Sequence, residues 1–377
     1  MISEHPSLSI RSLSEPEATD IRSVLERSAA DISFYGSGKA ALYDGLAGLV
    51  EPGENVLVPA YLPDAIAEAL VDLELEVRYY CVEETLAPDL ADVERRLDDD
   101  TVAVMSVNYF GFPQPGLEEF ISLVEEYDCY HIDDNAHSPI SVDNGTLLGT
   151  RGDLGVSSLW KLLPIPDGAV LYCNDPAVAA RLEPSSFAGI RTQFGTDDCL
   201  FVLKSLVSNL LGVNETIQRS VDEFVASRGP SLSVPGPKTR YEAGKTQMSK
   251  LSAHIVEHTD SQPIRARRRE NYRAWQRLLE SRADAEVLYE LLPEGICPQV
   301  FPVRTDAPQQ LLEDLERCGV DGAHTWPRLS SAVVDDPTYD VATTLAREII
   351  VLPIHQQLDP GTIDAVGEQL SQHVASD

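Results

Sequence analysis

Three groups that can do chemistry stand where apolar runs end. Lys161 closes Gly152-Asp153-Leu154-Gly155-Val156-Ser157-Ser158-Leu159-Trp160-Lys161, and Asp134 closes Tyr130-His131-Ile132-Asp133-Asp134. Gly36-Ser37-Gly38-Lys39 opens a stretch of helical periodicity from Ala40 to Val50. An amine attacks carbonyls, a carboxylate holds a proton on a ring nitrogen, and the free N–H groups of a helix start bind phosphate. Lys161 lies between two apolar runs that read as strands, with Leu162-Leu163-Pro164 and Asp167-Gly168 turning the chain before Ala169-Val170-Leu171-Tyr172-Cys173. Burying an ammonium is costly. An imine with a carbonyl cofactor removes that cost, and an ordinary turn lysine with its stem on the surface is the alternative.

The elements that position these groups alternate. Asn55 to Ala60, Glu76 to Val82, Val102 to Val107 and Tyr130 to Asp134 read as strands. Asp64 to Leu73, Leu90 to Leu97 and Gly116 to Tyr127 read as the helices between them. The pattern predicts an α/β fold, an open and largely parallel sheet with helices on its faces. Ligands of such sheets sit beyond the carboxyl ends of the strands, where Asp134 and Lys161 fall. Gly36-Ser37-Gly38-Lys39 is not a Walker A loop, because Ser33 and Ala40 replace the first glycine and the magnesium-binding hydroxyl. Nor does a third glycine follow to complete GxGxxG.

Ala18 to Ser28 reads as a helix packed on the main body, and Ala188 to Val225 as largely helical. Ser231 to Lys238 is rich in Pro, Gly and Ser and reads as a linker. We therefore expect a large domain over 1–235, with an N-terminal arm, and a smaller α+β domain over 236–377. The second contains a long helix, Gln262 to Leu279, with Arg265, Arg267, Arg268 and Arg269. Short strands follow at Gln299 to Val303 and Ile349 to Pro353, with a helix at Gln309 to Cys318. The arginine run reads as a solvated face or an interface.

With 377 residues the chain exceeds one typical domain, and its net charge is −32. Lysine occurs only at Lys39, Lys161, Lys204, Lys238, Lys245 and Lys250. Acids spread along a folded chain indicate a halophilic surface; an acidic partner-binding protein is the rival. Nucleic acid is disfavoured for lack of a basic face. Cys81, Cys129, Cys173, Cys199, Cys297 and Cys318 show no ligand spacing and read as free thiols, with no metal site. The start, Met1 to Pro6, does not read as a signal peptide, and no apolar run reaches bilayer length. A cytoplasmic protein with no membrane partner is expected.

A helix start for phosphate, a carboxylate at a strand end and Ser158-x-x-Lys161 are together what pyridoxal 5'-phosphate (PLP) chemistry needs. At these residues the chain resembles the fold-type I PLP enzymes, and within them the DegT/StrS-type sugar aminotransferases. The resemblance implies a three-layer α/β/α large domain, and it covers most of the chain. Ile132-Asp133-Asp134-Asn135-Ala136-His137 is similar to a family segment that puts Asp134 at the pyridine nitrogen and His137 near the ring hydroxyl, Asp133 being the less critical acid. Gly152 to Lys161 resembles the segment in which the lysine holds the cofactor and a serine, here Ser158, helps bind its phosphate. Gly36, Ser37, Gly38 and Lys39 stand in the phosphate-binding turn, and Leu352-Pro353-Ile354-His355 resembles a small-domain segment.

The match departs in places. The lysine follows Ser158 sooner than in the common pattern. Pro63 stands where many members stack an aromatic on the ring, with Tyr61 nearby as the candidate here. Lys245 replaces the asparagine that reaches the partner's cofactor, in Lys245-Thr246-Gln247-Met248-Ser249. Other readings stay open: Asp134 as a cap or turn acid, His137 as a structural histidine, Trp160 as core or pocket wall, and either Ser157 or Ser158 on the phosphate.

The resemblance implies a homodimeric aminotransferase. It would take nitrogen from an amino donor such as glutamate to a keto-sugar nucleotide or a keto acid. An amino-acid lyase and a non-catalytic PLP-binding sensor are the alternatives. The charge carries its own prediction. The melting temperature should rise from dilute buffer to molar potassium chloride, as the Debye length shrinks to about 3 Å. A flat or falling curve restores the acidic-partner reading.

Overall fold

The structure, a computed structural model, describes residues 2–8, 20–29, 31–211, 237–280, 282 and 284–374. Its main sheet sets side by side, in this order, Asp31–Tyr35, Ala169–Cys173, Leu154–Ser158, Tyr130–Asp134, Thr101–Val107, Asn55–Pro59 and Glu76–Tyr80. Only Ala169–Cys173 runs antiparallel to its neighbours; the pairs from Leu154–Ser158 out to Glu76–Tyr80 are parallel. Asn55–Pro59, Leu154–Ser158 and Ala169–Cys173 are buried at every position. That is the signature of a sheet covered on both faces, and it explains why these runs are apolar without strict alternation.

Most expected elements form within a residue or two of their limits. Asp20 caps the first helix, Ile21–Ser28, by accepting from the Ser23 amide at 2.8 Å. The helix expected over Asp64 to Leu73 divides into a 3₁₀ turn, Asp64–Ile66, and an α-helix, Ala67–Asp72. Of the helix expected over Ala188 to Val225, Thr196–Leu211 forms; 188–195 is not helical, and 212–225 lies outside the described residues. The expected linker also falls mostly outside them, but Pro237 and Lys238 lie in a helix, Pro237–Gly244.

A second, four-stranded antiparallel sheet is ordered Glu286–Val287, Val300–Arg304, Ile349–Pro353, His324–Thr325. The helix carrying the arginine run, Ser261–Leu279, packs against the helix Pro360–Val374. The start of the chain packs on the C-terminal part: the Ile2 amide donates to the Gly319 carbonyl at 2.8 Å.

The turn before the helix Gly38–Ala47 is clamped from a distant stretch. The Gly36 amide donates to the Thr246 carbonyl at 2.7 Å, and the Gly36 carbonyl accepts from the Gly168 amide at 2.9 Å. The Ser37 hydroxyl donates to the Gly244 carbonyl at 3.0 Å and accepts from the Ala40 amide at 3.3 Å. A Cβ at position 36 would sit 2.4 Å from Thr246 Oγ1 and 2.8 Å from its carbonyl oxygen, so glycine is required by close approach. Gly36→Ala should therefore cost about 1–3 kcal/mol, the range for overpacking. Denaturant unfolding checks it; an unchanged midpoint would show that the 244–248 stretch yields freely.

Candidate active site

Strand alternation selects which side chains meet. Asp134 pairs with Val156 across two parallel strands, and Met105 with Ile132. Residues two apart share a face. Ile132 and Asp134 therefore look the same way, with Val156 and Ser158 beside them. All four line a cavity of about 380 Å³. Lys161 reaches it from a 3₁₀ turn, Leu159–Lys161, and Ser37, Gly38 and Lys39 reach it from the helix start. Pro63, Ala65 and Ile66 form an apolar wall.

The opposite face of the same strands holds the scaffold. The Asp133 carboxylate accepts from Asn108 Nδ2 at 2.6 Å, from the Gly149 amide at 2.9 Å and from the Arg151 amide at 3.0 Å. The Ser157 hydroxyl donates to the Asn135 carbonyl at 3.1 Å. Of the two serines, Ser158 lines the cavity and Ser157 does not. A Cβ on Gly38 would lie 2.9 Å from Ser158 Oγ, so the helix start and the serine are in close contact. The amides of Gly38 and Lys39 precede the first intrahelical bond, which leaves them for a ligand.

Asp134 and Lys161 set each other's charge. Burial raises the Asp134 pKa, opposed by the Ala136 amide, which donates to its Oδ1 at 2.7 Å, and by the charge of Lys161. Burial likewise pushes Lys161 down to about 8, against the pull of Asp134. The amine is thus neutral for part of the time near neutral pH, the condition for attack on a carbonyl. Lys39 pairs with the Glu68 carboxylate, which leaves Lys161 the less encumbered amine of the cavity.

His137 stands behind this wall. Its Nδ1 accepts from the Phe110 amide at 2.6 Å, its ring stacks on Phe110 at 5.8 Å, and it meets Trp326 edge-on at 5.0 Å. Burial holds it well below the ordinary histidine pKa, and the Lys161 charge adds to the effect. With Nδ1 an acceptor, the neutral ring carries its proton on Nε2.

Three more of the expected cofactor contacts, besides His137, lie off the cavity wall. Tyr61 is fully buried, its hydroxyl donates to the Trp326 carbonyl at 2.5 Å, and its ring meets Tyr109 edge-on at 5.4 Å. It is not on the cavity wall, which at this corner is Pro63. Gly36 is also off the wall, its amide taken by Thr246. Lys245 pairs with Asp72 and Glu242 of its own chain and lies 4.7 Å and 4.6 Å from the ring centres of Tyr43 and Tyr241. Trp160 is pocket wall and not core, with 40% of its surface exposed. Ala65, Ile66 and Met105 were not singled out from sequence, because an apolar residue in a regular element carries no sign of facing a ligand.

A lysine with no carboxylate bonded to it among the described residues, a second lysine paired with Glu68, one carboxylate, two serines and a helix start, on walls otherwise largely apolar, fit an aromatic aldehyde phosphate. Asp134→Asn removes the charge that raises the Lys161 pKa. The midpoint for acylating Lys161, followed by mass spectrometry against pH in protein freed of cofactor, should therefore move down from about 8. An unmoved midpoint would separate the two groups electrostatically.

Comparison with known proteins agrees with this geometry. The model of the DegT/DnrJ/EryC1/StrS aminotransferase family matches residues 34–371. A dTDP-4-dehydro-2,3,6-trideoxy-D-glucose 4-aminotransferase of Saccharopolyspora spinosa is 27% identical over 357 residues, covering 91% of this chain and 84% of that protein. The aminotransferase TlmJ from Streptoalloteichus hindustanus superposes with a TM-score of 0.70 at 20% identity, over 100% of this chain and 99% of that one. The sugar aminotransferase CalS13 from Micromonospora echinospora gives 0.67 at 17% identity, over 99% of both chains. These structures carry the fold-type I architecture, and the family match runs through nearly the whole chain: the chain belongs to the DegT/DnrJ/EryC1/StrS aminotransferase family.

Proposed function

We propose that the chain transfers an amino group from an amino acid such as glutamate to a keto-sugar carried on a nucleotide, with PLP held in this cavity. The observation that carries the reading is the meeting of Lys161 and Asp134 on one wall beside the start of the helix Gly38–Ala47. PLP, when bound, supplies the electron sink that the transfer requires. Lys161 would hold it covalently and, once released, move a proton at the reacting carbon with its amine. Asp134 would keep a proton on the ring nitrogen, its carboxylate steadied by the Ala136 amide. The amides of Gly38 and Lys39 and the Ser158 hydroxyl would hold the phosphate, with Ser37 capping the helix behind them. His137 would offer its Nε2–H toward the ring oxygen, while Ile132, Val156 and Pro63 keep water from the ring faces.

The sugar acceptor is supported by the Saccharopolyspora spinosa relative, whose name specifies a dTDP-linked keto-sugar. A homodimer belongs to the same proposal, with Lys245 or its neighbours meeting the partner's cofactor phosphate after leaving Asp72. No helix among the described residues is long and apolar enough to cross a membrane. We place the enzyme in the cytoplasm of a salt-adapted cell, on its net charge of −32.

Borohydride reduction of protein loaded with PLP should fix the cofactor on Lys161 by peptide mapping, and Lys161→Ala should lose it. Amine transfer from glutamate should then appear in a panel of keto-sugar nucleotides and simple keto acids. A label on Lys39 or Lys245, or none, removes Lys161 from its role. A labelled Lys161 with no transfer to any acceptor leaves a cofactor-binding sensor.

A further inference from the structure

Of the arginine run of the helix Ser261–Leu279, Arg267 is half-exposed and pairs with Glu270 and Asp359, while the other three donate to carbonyls. Arg265 Nη2 donates to the Ile140 carbonyl at 2.8 Å, and Arg269 Nη1 to the Ile296 carbonyl at 3.0 Å. Arg268 is the deepest, with 1% of its surface exposed, and no carboxylate pairs with it among the described residues. It donates from Nη1 to the Gln299 carbonyl at 2.7 Å and the Pro298 carbonyl at 3.3 Å. Its Nε donates to Gln356 Oε1 at 3.0 Å, and its Nη2 to the Leu162 carbonyl at 3.4 Å. Gln356 Nε2 donates to that same carbonyl at 3.0 Å.

Leu162 is the residue after Lys161. Its carbonyl is therefore gripped by two side chains from the second domain, locked to each other by the Arg268–Gln356 bond. A buried guanidinium with only carbonyl and amide acceptors is costly to desolvate. Its fork, however, reaches several acceptors at fixed angles, which an ammonium does not. We propose that Arg268 and Gln356 are positioning residues for the Lys161 amine: they pin the turn that carries it and so tie the second domain to the reactive wall of the first. The proposal rests on Lys161 being the reactive amine.

The test reads that amine directly. The groups facing Lys161 are Asp134, which raises its pKa, and His137, with Lys39 on the same cavity. Burial is the larger influence and lowers it. A turn released from Leu162 lets water reach the amine. Gln356→Met keeps the shape and removes the donor; Arg268→Lys keeps the charge and removes the fork. Full-length parent and variants, freed of cofactor, are acylated across the neutral and alkaline range, and Lys161 is followed by mass spectrometry. Its midpoint should rise by about one pH unit in each folded variant, while the labelling of Lys39 stays near the parent's. A midpoint that does not move in a folded variant overturns the proposal, as does an equal change at Lys39, which marks general loosening. If Arg268→Lys fails to fold, Gln356→Met decides. Because no cofactor is present, failure of borohydride labelling or of amine transfer counts against the proposed function and leaves this result intact.

Discussion

An amine and a carboxylate that burial drives toward neutrality share one apolar wall, and the rest of the cavity depends on keeping them there. Desolvation raises the Asp134 pKa and lowers that of Lys161, and their attraction is what opposes both shifts. Charges a few ångströms apart interact several-fold more strongly near a protein surface than in bulk water, so a small displacement changes which group carries the proton. The fold answers with fixed attachments. The Ala136 amide holds one oxygen of Asp134, and a 3₁₀ turn presents Lys161 at the end of a fully buried strand. A flexible loop bearing the same residues would supply the groups without the constraint.

Parallel strands let the same backbone serve two purposes. Asp133 and Asp134 are adjacent and both buried, yet one binds two loop amides and an asparagine while the other faces the cavity. Ser157 and Ser158 divide in the same way. The division follows from the period of two and from the register that sets Asp134 beside Val156. A one-residue slip would turn the scaffold acid into the cavity and bury Asp134 among backbone amides. The bonds made by Asp133 resist that slip, so the acid held by backbone amides guards the placement of the one that faces the cavity.

These facts separate what the sequence discloses from what it conceals. The alternating elements, the strand-end positions of Asp134 and Lys161, and the helix start at Gly38 are local patterns, and each was legible. The choice between Ser157 and Ser158 was not, because alternation names a face only after the register with a neighbouring strand is known. Tyr61 misled for a related reason: its hydroxyl is satisfied by the carbonyl of Trp326, far along the chain, and no local pattern announces that bond. The arginine run was legible only in part. Arg267 keeps to the expected wet face, paired with Glu270 and Asp359, but Arg265, Arg268 and Arg269 turn inward to carbonyls at 140, 162, 296 and 299, scattered through the chain.

The acidity of the chain bears on the chemistry as well as on solubility. A net charge of −32 sets up a field that opposes the approach of an anionic nucleotide, the substrate class proposed above. The cavity itself runs against that field, since Lys39 and Lys161, two of the few lysines, both line it. Molar salt shortens the reach of surface charge to about 3 Å, less than the width of one side chain. The repulsion of the distant surface then fades, whereas donors in contact with a bound phosphate are screened little. A cavity of this kind recognises its ligand by contact and not by steering, which is the arrangement that a strongly acidic surface leaves open.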